Sequence, residues 1–137
     1  MKSVLTYEGK YNFNAENDRK HVTTYSSKGM EGGSEIAATP MEIMLQSVAA
    51  CSGIDVVSIL EKKRKSISEL EIIIEGERRD EHPRIFTKAH LHYKLKSDNA
   101  ELKDLERCIE LSQDNYCGAS AMFKLAGAEV TWSAELI

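Results

Sequence analysis

Between Thr39 and Leu60 the chain reads TPMEIMLQSVAACSGIDVVSIL, and this run restricts the available folds more than any other segment. Thr39 is a good N-cap, Pro40 suits the first helical position, and Glu42 stands three after Thr39. Together they form a capping box with proline at N1, which opens a helix. The helix is expected to run to about Arg64, where EKKRK supplies cations that complement the C-terminal dipole. From Met41 to Leu60 apolar residues occupy every face, and a helix of that kind belongs in an interior.

The rest of the chain must therefore cover this helix. SVLTYEG and YNFNA read as short strands around a turn at Gly9-Lys10, KHVTTYSS as a third strand, and KGMEGGSEIAA as a glycine-rich loop. After the helix, ELEIIIEGERR is a strand, and His82-Pro83 marks a turn. In RIFTKAHLHYKLK, strict alternation puts Ile85, Thr87, Ala89, Leu91, Tyr93 and Leu95 on one face. Phe86, Lys88, His90, His92, Lys94 and Lys96 fall on the other. SDNAELKDLERCIELSQDNY is an amphipathic helix with Leu102, Leu105, Cys108, Ile109 and Ser112 on its apolar side. GASAMFKLA is a short helix stopped by Gly127, and AEVTWSAEL is a last strand with Val130, Trp132, Ala134 and Leu136 inward. The order implies an α+β fold with antiparallel sheets around a long central buried helix. The 137 residues suit one domain, 1–137. Six strands and two lesser helices cover such a helix poorly, so a second subunit related by two-fold symmetry is expected to supply the rest.

Composition narrows the partners. A net charge of -4 argues against a nucleic-acid surface. Glu42, Gln46 and Asp55 interrupt the longest apolar run, so no run is expected to reach membrane-spanning length. The start MKSVLTYEGKYNF lacks the apolar core of a secretory signal, so a cytoplasmic location is expected. Three cysteines without a secretion signal make a structural disulfide framework improbable, leaving packing or reactive thiols. There is no CxxC to suggest zinc. His90 and His92 form an HxH, but lysines share their face and no third ligand is evident.

Free cysteine is a buried residue type, and Cys108, three after Leu105 on an apolar stripe, fits plain packing. Cys51 differs. Ser47, Cys51, Asp55 and Ser58 draw one polar stripe down an otherwise apolar helix. Such a stripe must be satisfied or must line a cavity. Asp55 can equally emerge at a helix edge or pair with a lysine of the next subunit. A carboxylate beside a thiol raises its pKa, so Asp55 alone is a poor activator of Cys51. Cys117, in NYCGASAM, stands near the start of a helix, where the local dipole favours a thiolate. Cys51 and Cys117 are a candidate pair, and pattern alone does not say which attacks.

The run GGSEIAATPMEIMLQSVAACSGIDVVSIL, followed by NYCGASAM, resembles the OsmC/Ohr superfamily of thiol-dependent hydroperoxide reductases, and more closely its OsmC-like branch. The resemblance covers essentially the whole chain by element order. It implies an intertwined homodimer with both long helices at its centre and active sites at the subunit interface. It also implies that Cys51 attacks an organic hydroperoxide, that Cys117 resolves the sulfenic acid as a disulfide, and that a dithiol reductant closes the cycle with no bound cofactor. In the well-studied peroxidase branches an acid directly follows the proline, and an arginine from the early strands meets it at the thiol. Here Met41 follows Pro40 and the acid is Glu42, which also has its capping role; the only early arginine is Arg19, in the turn-like AENDRK. An apolar pocket would favour organic peroxides, and Met41, Met44 and Phe123 are candidates to line one. Two rivals share the scaffold: a dimeric small-molecule-binding protein whose thiols are inert or bind a sulfur-containing ligand, and a redox sensor oxidised once without turnover.

Overall fold

A computed structural model describes all residues 1–137. The chain divides into two compact units, residues 1–44 and 45–137.

In the first unit, β1 (Ser3–Gly9), β2 (Asn12–Asn17) and β3 (Val22–Ser26) form an antiparallel sheet in the order β1-β2-β3. The first turn lies one residue later than expected. Lys10 and Tyr11 both take positive φ, 52° and 61°, and Gly9, at 85°, sits at an irregularity in the ladder. Two successive left-handed residues match the twist of a two-residue hairpin. Asn17 organises the second turn, its side-chain oxygen accepting from the N–H groups of Arg19 and His21 at 2.9 and 3.0 Å. The glycine-rich loop is pinned from below by two buried polar residues. Ser26 Oγ donates to Asn12 Oδ1 and Asn12 Nδ2 donates to Ser34 Oγ, both at 2.6 Å.

The helix α1 (Pro40–Lys62) opens on the expected capping box: Glu42 Oε2 accepts from the Thr39 N–H at 2.8 Å, and Thr39 Oγ1 accepts from the Glu42 N–H at 3.2 Å. It ends in a Schellman motif. Arg64 takes φ 58°, with Arg64 N–H bonded to Glu61 O and Lys65 N–H to Leu60 O, each at 2.9 Å. At 23 residues α1 is long and apolar enough to cross a membrane, so the expectation that no run reaches that length is corrected. Length and composition are weak evidence of a span, because core helices pass the same test, and one stripe of α1 is in fact a core face.

In the second unit β4 (Glu69–Arg78), β5 (Phe86–Lys96) and β6 (Glu129–Leu136) form a sheet in the order β4-β5-β6. The β4–β5 pair is antiparallel, whereas β5–β6 is parallel, which corrects the expectation of antiparallel pairing throughout. A parallel neighbour needs a crossover. Here it consists of α2 (Leu102–Leu111), a π-turn (Ser112–Tyr116) and α3 (Gly118–Leu125). Residues Val48, Ser52, Val56 and Leu60 of α1 are fully buried at spacings of four. They join Ala89, Leu91, Tyr93 and Leu95 of β5 and Leu105, Cys108 and Ile109 of α2 in or beside one core. The approach of α1 to the sheet is close: a Cβ on Gly53 would come within 2.9 Å of Ile72, and one on Gly76 within 2.9 Å of Leu45.

The expected alternation of β5 holds from Ala89 onward and fails before it. A bulge between Glu77 and Arg78 pairs Arg78 with Phe86 and Glu77 with Lys88. One extra residue reverses the side-chain phase. Phe86 therefore turns inward and stacks on Phe123 with ring centres 5.1 Å apart, while Ile85 and Thr87 are exposed. Phe123 is thus a core residue.

Candidate functional site

Cys51 lies in the fourth turn of α1 and is half-buried; Cys117 follows the π-turn and is 3% exposed. The π-turn explains how Cys117 comes to face α1. The wider turn closes with the Cys117 N–H donating to Ser112 O at 2.7 Å, and Cys117 then leaves the helix in extended backbone, φ -73° and ψ 97°. It caps α3, its Sγ accepting from the Ser120 N–H at 3.4 Å. The thiol also reaches Val48 O on α1, at 3.9 Å. Burial pushes the Cys117 thiol up. The amide and hydroxyl of Ser120 pull it down, and hydrogen bonding and charge interaction with Cys51 push it up again. Val48, which the Cys117 thiol reaches, stands about one turn before Cys51 on α1, so Cys51 and Cys117 are neighbours, and both are free thiols. Cys108 is also free, fully buried in the core, and pushed up chiefly by burial.

Between α1, β5 and the π-turn lies a buried polar network that sequence reasoning missed. Ser52 Oγ is 2.6 Å from Tyr93 Oη and 2.9 Å from Ser112 Oγ, and Ser112 donates to Asp55 Oδ2 at 2.9 Å. Ser112 uses its one hydroxyl hydrogen on Asp55, so Ser52 donates to Ser112 and Tyr93 donates to Ser52. Gln113 Nε2 donates to Ser52 and Tyr93 at 3.2 and 3.3 Å. Burial raises the Tyr93 pKa, its bonds to Ser52 and Gln113 lower it, and charge on Cys117 or Asp55 raises it further. Asp55 is thus satisfied from within the chain, by a hydroxyl. The one available signal was Ser52 at the i+4 position from Val48 on the most buried stripe of α1; its partners are 41 and 60 residues away.

Two buried polar atoms remain without a partner, Gln113 Oε1 and Ser120 Oγ. Ser120 is fully buried and Gln113 is 6% exposed.

The other expected site residues belong to residues 1–44. Glu42 is held by Thr39, whose backbone N–H and then hydroxyl bring its carboxyl below the ordinary range. Arg19 is exposed in the turn built by Asn17. No hydrogen bond or ion pair joins Glu42 to Arg19.

The HxH pair lies on the sheet face away from the core. His90 bonds to Thr131 and Ser133 at 2.7 and 3.0 Å, and His92 to Ser133 and Glu135 at 2.7 and 3.1 Å. No three His, Cys, Asp or Glu side chains converge as a metal-ligand set. A nearby groove of about 430 Å³, lined by Glu75, Glu77, Lys88, His90, Glu129 and Thr131 among others, shares no residue with the cysteine site.

Comparison with known proteins adds a family and a fold. The family model described as OsmC-like protein matches residues 32–133. The chain is 37% identical to Protein YhfA of Escherichia coli K12 over 109 residues, covering 79% of this chain and 81% of that protein. A hypothetical protein from Aquifex aeolicus superposes with a TM-score of 0.80 at 29% identity, covering 99% of this chain and 96% of that one. An organic hydroperoxide resistance protein from Elizabethkingia anophelis superposes with a TM-score of 0.68 at 16% identity, covering 98% and 97%, a likeness of fold.

Proposed function

The chain belongs to the OsmC-like protein family, and from that premise we propose that it is a thiol-dependent peroxidase that reduces organic hydroperoxides through Cys51, with Cys117 as its resolving partner. The observation that supports this most is the adjacency of two free thiols of unequal access, Cys51 half-buried and Cys117 enclosed. A peroxide reaches the more open sulfur first.

The Cys51 thiolate attacks one peroxide oxygen; the S–O bond forms, the O–O bond breaks, and the alkoxide takes a proton and leaves as an alcohol. The sulfenic acid needs capture before further oxidation. Cys117 attacks the Cys51 sulfur, the S–S bond forms, and water leaves. A small dithiol then reduces the disulfide and becomes a disulfide itself, so the cycle needs no bound cofactor. A cation beside the thiol would stabilise the thiolate. The family resemblance gives that part to Arg19, with Glu42 as its acid, and we retain both as candidates. The choice of organic peroxide rests on the fold neighbour from Elizabethkingia anophelis and on the apolar surroundings of α1. Three free thiols suit a reducing compartment, the cytoplasm.

We further propose that residues 1–137 act as one OsmC-like domain in a homodimer. Only one stripe of α1 is buried within the chain, and Ile54 on the same helix is 71% exposed. Val4, Leu5, Tyr7, Phe13 and Val22 of the first sheet are also exposed. A second copy of the chain would cover apolar surface of this kind.

The test is consumption of an organic hydroperoxide with excess dithiol. Turnover, together with sulfenic acid trapped at Cys51 in Cys117→Ser, is the expected result. A single equivalent consumed would make the protein a sensor, and none would leave a binding protein.

A further inference from the structure

Ser120 presents an arrangement that the reduced, neutral site does not use. It is fully buried, and its hydroxyl has no hydrogen-bond partner. A buried orphan hydroxyl is costly. Its own N–H lies 3.4 Å from Cys117 Sγ, at the N-terminus of α3, which Cys117 caps. The hydroxyl belongs to that same residue and, like the amide, favours the Cys117 thiolate over the thiol. A neutral thiol is a weak acceptor, whereas a thiolate is a strong one. Both donors therefore suit a charged Cys117 better than a neutral one, the logic of a preorganised anion hole.

Accessibility says when that charge appears. With both thiols free, Cys117 is enclosed and Cys51 is the more open residue, and a disulfide formed without moving them leaves Cys51 as its accessible end. An incoming dithiol reaches Cys51. We propose that Ser120 governs the reductive half of the cycle: its N–H and hydroxyl form a two-donor cradle that receives Cys117 as the departing thiolate. This rests on the peroxidase reading for its place in the cycle. One thiolate of the dithiol attacks Cys51 Sγ, a new S–S bond forms, and the Cys51–Cys117 bond breaks. The electron pair leaves on Cys117, where Ser120 holds it until it is protonated. The second thiol of the dithiol then attacks the mixed disulfide and releases Cys51. Leaving-group stability speeds such exchange and fixes which sulfur is attacked.

Other groups bear on the same charge. Cys51 on α1 opposes it, and Tyr93 on β5 is near enough to feel it; Asp55 on α1 bears on Tyr93 in turn. Lys124 on α3 is engaged with Gln113 O at 2.7 Å. None of these offers Cys117 a second pair of donors, so the cradle is assigned to Ser120.

The test has one readout that needs no peroxide. In the full-length Cys51→Ser protein, the pH dependence of Cys117 alkylation is followed by peptide mass spectrometry, with Ser, Ala or Thr at position 120. Ser120→Ala is expected to move the midpoint up by about one pH unit, and so to slow alkylation about tenfold below it. Ser120→Thr, which keeps the hydroxyl, should restore much of the loss. In the wild-type background, Ser120→Ala should slow dithiol reduction of the preformed disulfide to a similar degree. Removing an orphan hydroxyl should not lower the thermal midpoint, so misfolding will not imitate the effect. An unmoved Cys117 titration in folded Ser120→Ala would overturn the cradle, whatever the peroxide turnover. A moved titration with no turnover in wild type would keep the cradle and remove the peroxidase reading.

Discussion

Cys108 and Cys117 are both buried thiols, and burial raises the pKa of each. Their surroundings differ. Cys108 stands between Leu105 and Ile109 on the apolar face of α2, inside the hydrophobic core. Its other electrostatic influences, Lys63 and Asp104, act in opposite directions. Cys117 caps a helix, accepts from a backbone N–H, interacts with a second thiol, and has as its other neighbouring donor a hydroxyl that makes no formed hydrogen bond and favours the thiolate. Burial alone therefore does not distinguish a reactive cysteine from a packed one. What distinguishes them is whether the surrounding donors suit the charged form.

Removing the sulfur that attacks is the strongest way to test this contrast. Cys51→Ser is expected to lower hydroperoxide turnover about a thousandfold or more, as losing a nucleophile does. Cys117→Ser should still consume about one equivalent of peroxide per site and then stall with a trappable sulfenic acid at Cys51. Stopped-flow peroxide consumption with mass-spectrometric mapping reads both. Rapid labelling of Cys117 in Cys51→Ser would exchange their roles.

The contrast also depends on the buried polar network that ties α1 and β5 to the π-turn leading into Cys117. Ser52→Ala removes a hydroxyl that touches Tyr93, Ser112 and Gln113 at once. It should cost about 2 kcal/mol of unfolding free energy, because buried donors and acceptors lose their partner. Denaturant titration measures this directly. A change below experimental error would mean that the network relaxes around the gap and does not stiffen the site.

This difference between the two regions was only partly legible in the sequence. The Thr39–Glu42 cap, the Cys108 stripe and the inward run Ala89, Leu91, Tyr93 and Leu95 were all readable, because each is a local pattern with a fixed period. Cys51 and Cys117 could be named as a pair, but the order of attack came from family resemblance. The lost features are non-local. The bulge that turns Phe86 inward depends on pairing with Arg78. The parallel β5–β6 pair depends on how α2 and α3 cross the sheet. The π-turn looks like a continuation of α2 in composition, and its wider bonding, closed by the Cys117 N–H on Ser112 O, leaves no mark in the sequence. Asp55 was read as an edge residue or a partner for lysine because its actual donor, Ser112, is 57 residues away. Ser120, two residues into a helix, gave no sign that its hydroxyl would be orphaned.

A milder probe sits on the packed side. Cys108→Ala leaves a small cavity among Leu105, Ile109 and their neighbours, and should cost about 1 kcal/mol of stability. Turnover per folded molecule should be unchanged. A well-folded Cys108→Ala protein that loses turnover would place Cys108 in the chemistry and erase the contrast.

The smallest expected effect is in the pH dependence of stability. Both thiols have folded pKa values raised above the ordinary 9.0, chiefly by burial. Below about pH 9 both states keep their protons, and neither thiol makes stability depend on pH. Above it the unfolded chain loses thiol protons that the folded chain retains, so unfolding becomes easier as pH rises toward the folded values. Tyr93 adds the same sign, starting above its ordinary 10.0. Opposing influences act on each thiol, Ser120 against Cys51 at Cys117 and Lys63 against Asp104 at Cys108, so the shared effect of burial is what the experiment reads. Denaturant midpoints collected from pH 7 to pH 10 should therefore flatten in Cys108→Ala and in Cys117→Ala, each by a fraction of a kcal/mol, on the order of 0.5. A thiol whose removal leaves the pH profile unchanged is one whose surroundings accept the thiolate as readily as water does, and that outcome at Cys108 would erase its contrast with Cys117.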